Sequence, residues 1–153
     1  MTYKRPESVL VVLYNEHSQV LVMQRNDDPD FWQSVTGSLE DGETPLQAAR
    51  RELHEETGLT VEVQDCGRSN EFPIHPAWRA RYAPGVMTNR EHVFLALCEE
   101  RPDIRLDPQE HQAYCWLPRE QAAQRASSYT NRDAILKYVP EADSVDNKRE
   151  ADR

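Results

Sequence analysis

The sequence predicts a single α/β domain, a mixed β-sheet between helices. Three observations lead there. Residues 8–14, SVLVVLY, form a nearly continuous apolar run rich in β-branched side chains, as expected of a strand buried on both faces. Residues 44–58, TPLQAARRELHEETG, carry the start and stop signals of a helix. The other segments mix strand and helix patterns without strict βαβ alternation, which favours a mixed sheet with helices on its faces.

The elements follow in order. After SVLVVLY, NEHSQ turns the chain and VLVMQR, residues 20–25, returns as the second strand of a hairpin with a loop of about five residues. NDDPDFW is a polar loop closed by two aromatics, and QSVTG, residues 33–37, is a further short strand. In the helix, Thr44 is the N-cap, Pro45 takes the first helical position and Gln47 completes a capping box; Gly58 ends it in the left-handed conformation. Leu46, Ala49 and Leu53 form its apolar stripe. TVEVQD (60–65) and SNEFPI (69–74) read as separate strands, and residues 75–90 as a long exposed loop. HVFLALC (92–98) and AYCWL (113–117) are strands; PREQAAQRA (118–126) and NRDAILKYV (131–139) are helices. Residues 141–153 carry eight charges, so the domain is expected over 1–140 with a disordered tail over 141–153.

Composition narrows the function. The 153 residues suit one domain with a real core, and 27 acidic against 18 basic residues give a net charge of −9. That balance argues against nucleic-acid or membrane-surface partners, which need a basic face. It admits an anionic small-molecule substrate where metal ions bridge the charges. Cys66, Cys98 and Cys115 have neither paired nor zinc-site spacing and are expected as reduced, mostly buried thiols. The opening MTYKRPES has no apolar stretch of the export type and no run reaches membrane-span length, so a cytoplasmic, monomeric protein is expected.

Glu52, Glu55 and Glu56 pose the chemical question. At about 100° per residue they fall within one arc of roughly 100° beside the apolar stripe. Like charges at this spacing destabilise a helix by about 0.2–0.5 kcal/mol per pair, so something must compensate. A divalent cation does: magnesium prefers oxygen ligands and is held by a few carboxylates plus substrate phosphates. Hydrolysis of a phosphoanhydride needs neutralised oxygens, a delivered water and a stabilised leaving phosphate. Arg51 can pair with a glutamate and fix its rotamer, and Gly37 would let backbone approach the metal.

From Gly37 to Leu59 the chain matches the Nudix box, Gx5Ex7REUxEExGU, at every specified position: Gly37, Glu43, Arg51, Glu52, Leu53, Glu55, Glu56, Gly58 and Leu59. At background frequencies a chance match is on the order of one in ten million, so the carboxylates are read as a site rather than a solvated face. The flanks YKRP (3–6), QRNDDPDFWQSVTGS (24–38), RYAPGV (81–86), EHQAYCWL (110–117) and NRDAI (131–135) resemble the bacterial Nudix enzymes that release pyrophosphate from dihydroneopterin triphosphate in folate biosynthesis. The resemblance implies a Nudix α/β/α sandwich and a magnesium-dependent hydrolase, with manganese as an alternative ion.

It further implies Glu52, Glu56 and Glu110 as metal ligands, with Glu55 a further ligand or base; the general base stays open between Glu55 and Glu110. Lys4, Arg25, Thr36, the stretch Phe72, Pro73, Ile74 and His75, and Ser128 are implied as substrate contacts. FPIH (72–75) and SSYTNR (127–132) depart from the family pattern. Phe31, Trp32 and Trp116 are read as core, Arg79 and Arg81 either as a lid over the triphosphate or as loop decoration, and no histidine receives a catalytic role. The rival readings are a nucleoside triphosphate or dinucleoside-polyphosphate hydrolase with the same box, and a nucleotide-binding module without catalysis. The last is disfavoured because no box carboxylate is missing.

Overall fold

The computed structural model describes residues 2–142, so the expected tail lies, from residue 143 on, outside the described residues. β1 (Glu7–Asn15) and β2 (Gln19–Arg25) form the expected hairpin, with a tighter turn than the sequence suggested. Asn15 draws it in, its side-chain oxygen accepting the amides of His17 and Gln19 at 3.0 and 3.1 Å. The two strands pair only beside the turn, at Tyr14 and Val20, and then part. Into the fork run β3 (Trp32–Gln33), which pairs with β2, and β4 (Val35–Ser38), which pairs with β1. The single strand expected at QSVTG is therefore broken at Ser34. Asn131 pins the break: its side chain accepts the Ser34 amide at 2.8 Å and donates to the hydroxyl at 2.9 Å.

β4 leads through a short loop into α1 (Pro45–Thr57), capped as expected by Thr44 with Gln47, and by Gly58 at φ 79°. On the outer edge of β1 lies β6 (Thr88–Cys98), parallel to it, and then β5 (Val63–Pro73), antiparallel to β6. β7 (His111–Pro118) pairs along β2, and α2 (Arg119–Arg125) and α3 (Tyr129–Tyr138) follow. Side chains of β1 alternate between two cores. Val9, Val11 and Leu13 meet Leu53, Ala49 and Phe94 under α1, while Leu10 and Val12 meet Ala122, Ile135 and Val22 under α2 and α3. Helices thus cover both faces of a mixed sheet, as the sequence predicted.

Three expectations are corrected. The end of TVEVQD, from Val63, and SNEFPI as far as Pro73 belong to one strand, β5, which continues through a bulge between Asp65 and Arg68 where Gly67 takes the left-handed conformation, φ 70°. The loop over 75–90 contains a 3-10 turn, Pro76–Arg81, capped by the His75 ring, and β6 starts at Thr88. Its first buried positions are Asn89 and Glu91, polar residues that hide the strand from an apolar pattern. Of the aromatics, Trp116 packs under α1 and Trp32 under α2 and α3, but Phe31 belongs to neither core. The cysteines are free, Cys98 buried and the other two half-buried.

Glu91 is 6% exposed, and loss of water pushes its carboxyl up from 4.5 to about 7, against a smaller pull from the Thr130 hydroxyl. A folded-state value above the unfolded one means stability that is complete below pH 4.5 and lost as pH rises to about 7. The Glu91→Gln variant should therefore lose less stability than the wild type between pH 5 and pH 8, by up to about 3 kcal/mol in chemical denaturation. An unchanged difference would show that Glu91 titrates normally.

Candidate active site

α1 sets its carboxylates against β4. Glu52, 7% exposed, lies over Gly37, where an added Cβ would stand 2.1 Å from the Glu52 carboxyl carbon. The glycine is required by this side chain's space rather than by its own φ. Arg51 holds the cluster from beneath. Its guanidinium donates to both oxygens of Glu43 at 2.8 and 2.9 Å, to Glu52 at 2.7 Å, to Glu55 at 3.1 Å and to the Ser38 carbonyl at 3.0 Å. These acceptors raise its already high pKa further, Glu43 foremost. Glu43 and Arg51 of the box thus act by fixing Glu52.

Glu56, one turn on, is fully buried, and neither of its oxygens has a hydrogen-bond partner among the described residues. Burial, then Glu52, then Glu110 hold its pKa well above the carboxylate range, and the Thr36 amide lies near enough only to offset a little of this. Glu52 is raised too, first by burial, while contact with Glu56 and Arg51 works the other way, and the two carboxylates titrate as a pair. Glu110, just before β7, is also raised, by loss of water and by Glu52 and Asp107.

Carboxylate oxygens of Glu56 and Glu110 and a ring nitrogen of His111 lie within 4.8 Å of one another. His111 is 2% exposed; burial, then Arg25, lowers its pKa to about 4, so the ring is neutral. Gln33 lies 3.0 Å from its Nε2, and with the amide donating there the proton sits on Nδ1, 3.7 Å from Glu56. Both orphaned Glu56 oxygens thus converge with Glu110, and the Nδ1–H of His111 faces them as a donor rather than as a ligand. A divalent cation fits the carboxylate oxygens. Glu55 stays half-exposed on the flank, bound to Arg51.

The predicted cations gather around this group. Lys4 has its pKa lowered, first by burial and then by Arg81, while Glu110 and Glu52 pull the other way. Arg25 is held by Asp27 at 2.7 and 2.6 Å, with Glu110 and Glu56 further raising its pKa. Its guanidinium lies 5.0 Å from the Trp78 ring centre and 5.8 Å from that of Phe31. His75 packs on Trp78 at 5.4 Å and Arg81 pairs with Asp27 at 3.6 Å. Phe72 and Pro73 end β5, and the buried Ile74 follows. Ser128 is not brought to the carboxylates: it caps α3, accepting the Asn131 amide at 3.3 Å. Sequence reasoning gave Trp78, Gln33 and His111 no part here, although His111 adjoins Glu110.

A model of the NUDIX domain matches residues 4–139. The chain belongs to the Nudix family. Two relatives are named dihydroneopterin triphosphate diphosphatase. That of Escherichia coli K12 is 50% identical over 144 residues, covering 90% of this chain and 94% of its own. That of Haemophilus influenzae is 43% identical over 145 residues, covering 91% and 90%. The solved structure of the E. coli dihydroneopterin triphosphate pyrophosphohydrolase superposes with a TM-score of 0.86 at 46% identity, covering 91% of this chain and 98% of that one. Nudix hydrolases use divalent metals and act on small phosphorylated substrates, which agrees with the carboxylate group here. Among the described residues no helix is long and apolar enough to cross a membrane.

Gly37→Ala should displace Glu52 and lower turnover about 100-fold while the circular dichroism spectrum stays native. A variant at the wild-type rate would show that the Glu52 position is not needed.

Proposed function

We propose that the chain is a magnesium-dependent pyrophosphohydrolase that converts dihydroneopterin triphosphate to the monophosphate and pyrophosphate, acting as a cytoplasmic monomer. The observation that carries the chemistry is Glu56, buried without a partner between Glu52 and Glu110. The substrate follows from relatives of that name at 43–50% identity over nine-tenths of the chain. Glu52, Glu56 and Glu110 would hold the cation, and manganese, which takes the same carboxylate oxygens, is the alternative ion. When bound, the ion supplies charge neutralisation on phosphate oxygens and a more acidic water.

The residues of the chain do the rest. Lys4 and Arg25 bind phosphate oxygens, Arg25 after exchanging Asp27 for substrate, and Arg81 follows through the same aspartate. A water oxygen adds at the α or the β phosphorus as the bridging P–O bond breaks; the other half leaves with the electron pair, so that monophosphate and pyrophosphate result from either attack. Of the two base candidates Glu110 takes the water proton, since Glu55 is engaged by Arg51 and Glu110 stands in the group itself. Thr36, His75 and Phe72 border the substrate, and Ser128 acts on it through α3.

Magnesium-dependent pyrophosphate release from dihydroneopterin triphosphate, dATP and dGTP tests the reading. The pterin should have the highest kcat/KM; equal or better use of the purines would keep the hydrolase and overturn the substrate. Glu56→Gln should lose on the order of 10³-fold in kcat with the fold intact, and a wild-type rate would refute the metal assignment.

A further inference from the structure

Under α3, at the end of the sheet where β1 and β6 begin, six polar side chains are buried: Ser8, Ser34, Asn89, Glu91, Thr130 and Asn131. Most satisfy one another. Asn131 bonds Ser34, Asn89 Nδ2 donates to the Ser8 hydroxyl at 2.7 Å, and Thr130 shares a hydrogen bond with Ser128 at 2.8 Å. Two acceptors are left without a donor among the described residues, Asn89 Oδ1 and Glu91 Oε1. Each such orphan is destabilising as it stands. Asn89 and Glu91 alternate along β6, so both side chains leave the same face of the sheet. Phe72, half-buried, is paired opposite Asn89 and leaves that face too.

Two neighbouring orphan acceptors beside an aromatic ring call for a flat ligand with two adjacent N–H donors on one edge. A 2-amino-4-oxopyrimidine ring has that edge, its ring N–H next to its amino group. Pterins and guanine carry it; adenine, which sets its single amino group beside ring acceptors, does not. Position agrees with this. Ser38, Ser8 and Glu91 stand in a row across β4, β1 and β6, roughly 10 Å from end to end. Ser38 follows Gly37, against which Glu52 lies. A ligand can therefore keep its ring at Glu91 and carry its phosphates round the end of β4 to the carboxylates.

We propose that Asn89 and Glu91 receive the amino–amide edge of a 2-amino-4-oxopyrimidine ring, with Phe72 bordering it, and so set which base the site prefers. The first turn of α3, carrying the buried Thr130 and Asn131, would have to yield for the ring to enter. Donors on that edge favour the ionised carboxylate, so binding draws the proton off Glu91. The proposal rests on the pterin reading above, and guanine makes it separable from it.

Calorimetric titration of dihydroneopterin monophosphate, dGMP and dAMP into wild type, Glu91→Gln and Asn89→Ala tests it with magnesium present. Wild type should bind the first two more tightly than dAMP, and each variant should reduce that preference about tenfold. A wild type without the preference, or variants that weaken all three ligands by one common factor, would make the cluster structural and overturn the proposal. Absence of pterin triphosphate turnover alongside an intact preference for dGMP would overturn the substrate reading and leave this one standing.

Discussion

A carboxylate buried without a partner is the constraint on which the rest of this structure depends. Glu56 is taken fully out of water, where an ionised group is tolerated only with a compensating charge. Its neighbours are two more carboxylates, and they make the problem worse. The protein answers from one side only: Arg51 binds Glu43, Glu52 and Glu55 at the flank of α1 and leaves Glu56 untouched. On the proposed reading a bound cation completes the other side and supplies the charge that lets the buried carboxylates ionise.

The forked hairpin makes this geometry available. Because β1 and β2 separate after their turn, β3 and β4 can enter between them and bring Gly37 beneath Glu52. The same fork places Gln33 against His111 and Ser34 against Asn131, tying the site on one face to α3 on the other. One short segment, Trp32 to Ser38, thus borders both the carboxylate group and the buried polar cluster around Glu91. In the proposed reading, chemistry and base choice are served by opposite faces of one strand, so that a shared hydrolytic box can coexist with varied substrate preference.

Much of this was legible in the sequence, for reasons that are local. The capping box at Thr44 and Gln47, the left-handed Gly58 and the alternating burial of β1 follow from short-range rules. Helix spacing likewise puts Glu52 and Glu56 side by side, whereas Glu110 was implied only by the resemblance to the family. What stayed hidden depends on long-range contact. Nothing near Gln33 announces His111, 78 residues away, and nothing near Ser34 announces Asn131, 97 residues away. Asn89 and Glu91 disguised the start of β6, since buried polar residues break the apolar pattern that marks a strand.

The central claim is that Glu52, Glu56 and Glu110 are held together for a divalent cation. Thermal unfolding of wild type and Glu56→Gln, with chelator and then with rising magnesium, tests it most directly. The account predicts that magnesium raises the wild-type Tm progressively, while Glu56→Gln starts higher in chelator, having lost its buried acid, and responds far less to the ion. An equal magnesium response in both proteins would contradict it.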